Sequence, residues 1–222
     1  MDIPATSSAR NGPCRKPEMN VSETYNRIAA WFAANRDQAL SERKYLDRLI
    51  DLAGCHADVL DLGCGTGLPI MKYLLEKGMK VTGVDTSSRM LDIARKNLPD
   101  QLFLHADMRE LALERKFDVI IAWHSFFHLP SADQPHMFAI FERHLRPGGL
   151  LLFTSGREEG EGWGMNGGEN LYHASLDTTH YSALLKQHHF HVLEYTPDDA
   201  DCGQATVWLA QRAAEFQGRC KE

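Results

Sequence analysis

The sequence predicts an α/β fold in which a doubly wound, mainly parallel sheet is covered by helices on both faces. Three observations carry that expectation. Short apolar runs alternate with segments whose apolar residues recur at helical spacing, the rhythm of repeated strand–helix–strand units. The runs Val59 to Leu62 and Phe117 to Trp123 are nearly continuously apolar, as strands buried on both faces must be. The first run then breaks into the glycines of Asp61-Leu62-Gly63-Cys64-Gly65-Thr66-Gly67 before a helical pattern begins, which reads as strand, tight turn, helix.

Residues 1–20 hold Pro4, Ser7, Ser8, Gly12, Pro13 and Pro17 but no apolar signal-peptide core, and are expected to form a flexible tail. From Glu23 to Ala53, Ile28, Trp31 and Phe32 make one apolar group and Tyr45, Leu46, Leu49 and Ile50 another, predicting two helices ahead of the first strand. After the glycine turn, Ile70, Met71, Leu74 and Leu75 keep helical spacing up to Gly78. Lys80 to Asp85 is a strand, Ser87 an N-cap, and Met90, Leu91, Ala94 and Leu98 a helix face ending before Pro99. Leu102 to Ala106 and Phe117 to Trp123 are the third and fourth strands. Ser131 is expected to cap a helix containing Met137, Ile140, Phe141 and Leu145, which RPGG stops, and LLLFTS is the fifth strand. The run GREEGEGWGMNGGEN, Gly156 to Asn170, reads as a long acidic, glycine-rich loop, and residues 156–173 as a lid. A last helix with Tyr181, Leu184 and Leu185, then strands His191 to Thr196 and Ala205 to Ala210, complete a single domain over residues 21–222.

Composition narrows the functions this domain can serve. With 24 basic and 30 acidic residues the net charge is -6, and no Lys/Arg run is long enough to neutralise a series of phosphates, so nucleic acid is a disfavoured partner. No apolar stretch approaches the roughly 20 residues that span a bilayer, so no membrane partner is expected. The five cysteines are scattered without a CxxC pair, which predicts reduced thiols and a cytoplasmic protein. His188, His189 and His191 follow a helix end instead of sharing a ligand face, and no metal site is expected. Nothing in the sequence speaks to oligomeric state.

The chemistry is concentrated at the glycine turn. Glycines there allow positive φ and let a ligand approach the main chain. Asp85 closes the next strand, placed to accept hydrogen bonds from two ribose hydroxyls, with Thr86 beside it. An ordinary tight turn would use the same glycines, and an N-cap or turn role would suit Asp85. Taken together they point to a nucleoside cofactor.

The string from Asp61 to Gly67 resembles the first motif of the class I methyltransferases, an acidic residue followed by GxGxG. The resemblance runs on through VTGVDTSSRMLDIARKNL, LHADMREL, FDVIIAWHSFFHLP and HLRPGGLLLF, roughly Val59 to Phe153, and is closest to the small-molecule, quinone-biosynthesis type. It implies a Rossmann-like, mainly parallel seven-stranded sheet with an antiparallel last strand, and S-adenosylmethionine as cofactor. Gly63, Gly65 and Gly67 would pass under its methionine and ribose, with Asp61 in the same motif and Asp85 on the ribose hydroxyls. Asp107 and Met108 would meet the adenine, and Trp123 would lie beside the cofactor. Residues 21–53 resemble the family's cap, which makes Tyr25 a cofactor-site candidate, Trp31 an acceptor-site candidate and Arg36 a further one, although an amphipathic helix packed on the sheet explains the same residues. Core packing would equally account for Met108, and Cys64 reads as a small filler.

His124 and His128 follow the fourth strand and are the candidate general bases, although His128 could simply tie its loop to the next helix. Tyr172 and His173, beyond the fifth strand, are candidates to contact the acceptor. The expected function is methyl transfer to a small molecule by in-line displacement. Two alternatives share the motif. A nicotinamide oxidoreductase would need a GxGxxG turn, whereas position 68 is Leu, and no Tyr-x-x-x-Lys pair is present. A non-catalytic cofactor-binding module would keep the motif and fill the acceptor cavity. Trp123-His124-Ser125-Phe126 stands where amino-directed nucleic-acid methyltransferases carry [Asn/Asp]-Pro-Pro-aromatic, which again favours a small acceptor.

Overall fold

A computed structural model describes residues 20–214. The tail expected over residues 1–20 lies outside the described residues except for Asn20, which caps the first helix by accepting from the Glu23 amide at 3.1 Å. The chain order is α1 (Val21–Asn35), α2 (Arg43–Ala53), β1 (Asp58–Leu62), α3 (Ile70–Glu76), β2 (Lys80–Asp85), α4 (Ser88–Asn97), β3 (Leu102–His105) and β4 (Phe117–Ala122). There follow α5 (Gln134–His144), β5 (Leu145–Ser155), β6 (Gly160–Asn166), β7 (Glu169–Ser175), α6 (Thr178–Gln187), β8 (Phe190–Asp199) and β9 (Ala205–Arg212).

Seven strands form one sheet in the order β3-β2-β1-β4-β5-β9-β8, and β6 and β7 form a separate hairpin. β1 to β5 pair in parallel, while β9, the last strand, runs antiparallel to both β5 and β8, as the resemblance implied. The period-two alternation of the strands divides the core. Val59, Val119, Ile121 and Leu152 face Leu46 and Leu49 of α2, Met71 and Leu74 of α3 and Leu91 of α4. Leu60, Ile120, Leu151 and Phe153 face Phe138 and Phe141 of α5 and Tyr181 of α6 on the other side. Each such side chain contributes about 1.5–3 kcal/mol by leaving water, which is why the central strands carry no polar face.

Three local expectations are corrected. Leu145 is not part of the helix: α5 ends at His144, and Leu145 opens β5, pairing with Phe117, with RPGG inside the strand. Ser131 lies in a turn ahead of the helix, and α5 begins at Gln134 after an Asp133 that makes no side-chain cap bond; Pro135, in the first turn, fixes where the helix can start. Residues 160–175 are an antiparallel hairpin, not a loop. Gly167 and Gly168 have φ of +59° and +83°, the two left-handed residues that a tight two-residue hairpin turn requires. That turn lies over α1: a Cβ on Gly167 would fall 2.8 Å from the Trp31 ring, and Arg27 Nε meets Glu169 at 3.0 Å. Helix α1 and the hairpin thus form one roof over the carboxyl ends of the strands.

Candidate active site

The sheet order reverses between β1 and β4, and there the carboxyl ends of β1, β2 and β4 open into a cavity of about 670 Å³. Gly63, Gly65 and Gly67 form its floor, and the conformation of the first is enforced: φ is +79°, and a Cβ would lie 2.2 Å from that of Ser125. Asp85 shapes the same turn, accepting from the Gly65 amide at 2.9 Å and from the Ser87 amide at 2.8 Å. Burial raises its pKa, against the pull of those amides.

Asp61 is 4% exposed and lines the cavity. No described residue donates a hydrogen bond to its carboxylate, and burial, with Asp85 and Glu42 nearby, pushes its pKa up to about 7. An orphaned carboxylate beside a second one is a place for a cation. Arg36 is the counterweight, also lining the cavity, with Nη2 3.0 Å from Glu42.

Asp107 and Met108 follow β3 at one end of the cavity. Burial works against the charge on Asp107, but Arg109, 2.6 Å away, outweighs it and lowers the pKa; Arg109 also reaches Asp133 at 2.7 Å. Ser22 donates to the Thr86 carbonyl at 2.8 Å and Asn26 accepts from Ser87 Oγ at 2.8 Å, which anchors α1 across the end of β2. The anchoring brings Tyr25, Phe32 and Arg36 to the cavity wall.

The two histidines are built differently. Nδ1 of His128 lies 2.7 Å from the Tyr172 carbonyl, so that nitrogen carries the proton, and Nε2, 2.9 Å from the Tyr25 hydroxyl, accepts from it. Both nitrogens of His128 are therefore engaged, and burial pushes its pKa down to about 4. His124 makes no ring hydrogen bond with any described residue. Its backbone is left-handed at φ +48°, with its amide donating to Thr154 Oγ1 at 2.9 Å, and this turns the ring into the cavity between Trp123 and Phe127. Burial, then Arg36 and His173, brings its pKa down to about 4.

Of the sequence-predicted residues, Tyr25, Asp61, Gly63, Gly65, Gly67, Asp85, Thr86, Asp107, Met108, Trp123, His124, His128 and His173 all line this cavity. Trp31 does not: it is 46% exposed and packs on the hairpin turn. Tyr172 is buried against Trp163 and meets the site only through its carbonyl. Phe127, Met165 and Asn166 line the cavity without having been singled out. Asn166 precedes two glycines, and that Asn-Gly-Gly string, flanked by alternating residues, was the signal for a hairpin. One ligand atom from each of Glu159, Asp177 and His180 lies within 4.8 Å of the other two, and Asp177 also caps α6 by accepting from the His180 amide.

Residues 59–149 match the family described as "Methyltransferase domain". The chain is 30% identical over 72% of its length to the malonyl-[acyl-carrier protein] O-methyltransferase of Serratia marcescens, covering 63% of that protein. It is 36% identical over 67% of its length to the dTDP-3-amino-3,6-dideoxy-alpha-D-glucopyranose N,N-dimethyltransferase of Streptomyces fradiae, covering 58%. The chain thus spans less than two thirds of either relative. In fold it resembles the S-adenosylmethionine-bound amino pentose methyltransferase of Micromonospora echinaspora, with TM-score 0.66 and 19% identity over 84% of this chain and 96% of that one.

Proposed function

We propose, from the premise that this chain carries a class I methyltransferase domain, that it transfers a methyl group from S-adenosylmethionine to a small molecule. The observation that supports it best is Asp61: a buried carboxylate, unpaired among the described residues, at the glycine turn of a cavity sized for a nucleoside ligand. A sulfonium or ammonium cation would satisfy it, whereas a pyrophosphate would be repelled by it and by Asp85. The nicotinamide alternative therefore finds no support here.

The residues fit the cofactor. Gly63, Gly65 and Gly67 would underlie its methionine and ribose, Asp85 would take the ribose hydroxyls, and Asp107 and Met108 would bracket the adenine. Arg36 is placed for the amino-acid carboxylate, and Tyr25, Thr86 and Trp123 for the walls. When bound, the cofactor supplies a methyl group activated on positive sulfur. The protein's part is to orient the acceptor in line and exclude water, the role we give to the roof of α1 and hairpin. His124 is the side chain we assign beside the acceptor, with His173 behind it; His128 acts through Tyr25. Residues 21–222 are read as one domain with α1 and α2 as its cap. No helix among the described residues is long and apolar enough to cross a membrane, and the free thiols of Cys55, Cys64 and Cys202 support a cytoplasmic setting.

Calorimetry with S-adenosylmethionine, followed by an acceptor panel scored for S-adenosylhomocysteine, tests the assignment. Binding together with turnover of a small acceptor is the expected result; binding without turnover of any acceptor would favour the non-catalytic alternative, and no binding would end it.

A further inference from the structure

Asp107 follows β3 and caps a single 3-10 turn, Met108–Glu110, its Oδ1 accepting from the Arg109 amide at 2.9 Å. The Arg109 side chain folds back on the same carboxylate. Its Nε lies 3.1 Å from both oxygens and its Nη2 2.6 Å from Oδ2, while Nη1 reaches Asp133 at 2.7 Å. An isolated ion pair at a surface holds neither partner firmly, but a planar guanidinium forked on one carboxylate and pinned by a second does. Asp133 is fixed in turn, its amide donating to the Pro130 carbonyl at 2.9 Å just ahead of α5. The orientation of Asp107 is thus set from the α5 side as well as by its own turn.

The count of hydrogen bonds decides what is left for a ligand. An ionised carboxylate offers about four lone-pair sites and no donor. Three N–H groups, the Arg109 amide, Nε and Nη2, already point at Asp107, which leaves about one site. Asp107, Met108 and Arg109 all line the main cavity. Burial works against the charge on Asp107, and the guanidinium outweighs it, so the carboxyl stays an acceptor at neutral pH. Arg109 has little charge to offer an anion, because it is shared between Asp107 and Asp133.

We infer that Arg109 is a positioning residue for base recognition: it sets the Asp107 carboxylate with one acceptor site for a ligand N–H, and so makes the cofactor site select an amino-substituted purine over a carbonyl-substituted one. The inference rests on the methyl-transfer reading above, with Asp107 at the adenine, and adds the residue that makes that contact selective. An exocyclic amine donates into the remaining site. A carbonyl oxygen in its place would set lone pairs against lone pairs, with no proton between them. Without Arg109 the carboxylate keeps only one amide as its donor and is free to turn, and burial then favours its protonated form, whose O–H can donate to that carbonyl.

The test compares S-adenosylhomocysteine with S-inosylhomocysteine, which carries a carbonyl where adenine carries its amine, each titrated into the full chain by calorimetry. The wild-type protein should prefer the adenine ligand by at least about tenfold. Arg109→Met, similar in length but without N–H groups, should reduce that preference to about threefold or less, with the inosine ligand bound no more weakly than by the wild type. Arg109→Lys keeps the charge without the fork and should fall between the two; it carries the comparison if the methionine variant does not fold. Asp107→Asn presents a side chain that can donate as well as accept, so it should erase or reverse the preference, and adding Arg109→Met to it should change the ratio no further. A purely structural ion pair would weaken both ligands in proportion and leave their ratio alone. An unchanged ratio in a folded Arg109 variant, or a wild-type chain that binds the two ligands equally, overturns the inference. A wild-type chain that binds neither overturns the methyl-transfer reading instead.

Discussion

The Tyr25 hydroxyl donates to Nε2 of His128 across 2.9 Å, and the direction of that bond is fixed because Nδ1 of His128 is committed to the Tyr172 carbonyl at 2.7 Å. One chain of hydrogen bonds thus joins α1, the segment after β4 and the hairpin, three elements far apart in sequence. Tyr25→Phe leaves a buried acceptor without its donor and should lower stability by about 1–3 kcal/mol in urea unfolding. His128→Ala should overlap with it, so that the double variant costs less than the sum of the two; additive losses would show that the bond does not couple the roof to the sheet.

Asp61 gives the site a pH dependence whose sign can be worked out. With its pKa raised to about 7, the folded state without ligand holds a proton that the unfolded chain releases nearer pH 4. Asp61 therefore contributes stability at low pH that is lost as pH rises through about 7. Binding of a cationic cofactor runs the other way, favouring the ionised carboxylate, so affinity should rise from pH 6 to pH 8 with proton release at pH 6. Calorimetry in buffers of different ionisation enthalpy measures both, and Asp61→Asn should flatten the profile.

Asp85→Ala should weaken S-adenosylmethionine binding by about 1.5–3 kcal/mol, the range for hydrogen bonds to a charged group. Asp107→Ala should cost less, because Arg109 already occupies that carboxylate. Circular dichroism must accompany the first variant, since Asp85 also holds the Gly65 amide. Unchanged affinity in a folded Asp85→Ala protein would remove it from the site.

His124 stands in the left-handed region, where a side chain costs roughly 1–2 kcal/mol that glycine avoids. His124→Gly should therefore be more stable than His124→Ala by about that amount in thermal melts. Both should lower kcat by about tenfold, with cofactor affinity nearly unchanged, if the ring orients the acceptor. Because the imidazole stays neutral throughout, no inflection assignable to it should appear in kcat between pH 6 and pH 9.

Gly167 tests the roof as a unit. A methyl group there would collide with Trp31 and sit on a backbone at φ +59°, so Gly167→Ala should loosen the hairpin from α1. Faster amide exchange over residues 160–175 and weaker cofactor binding are expected. Glu169→Ala, which removes only an exposed ion pair with Arg27, should change little.

Sequence alone determined the strand–helix rhythm, the two buried faces of β1 and β4, and the glycine turn with Asp61 and Asp85, because each depends on periodicity or on conformations open to few residue types. The resemblance of its motifs added the seven strands and the antiparallel β9. Long-range geometry lay beyond reach. His124 and His128 have the same residue type in the same segment, and only the positions of Tyr25 and Tyr172 decide that one is locked at both nitrogens while the other faces the cavity. Trp31 and Phe32 are neighbours on α1, yet the docked hairpin leaves Trp31 outside and Phe32 at the cavity wall. The glycines of residues 156–170 read as freedom of the chain. Folded, those of β6 form a smooth strand face, because two left-handed residues at 167 and 168 turn the segment back on itself and tertiary packing supplies what lies beneath.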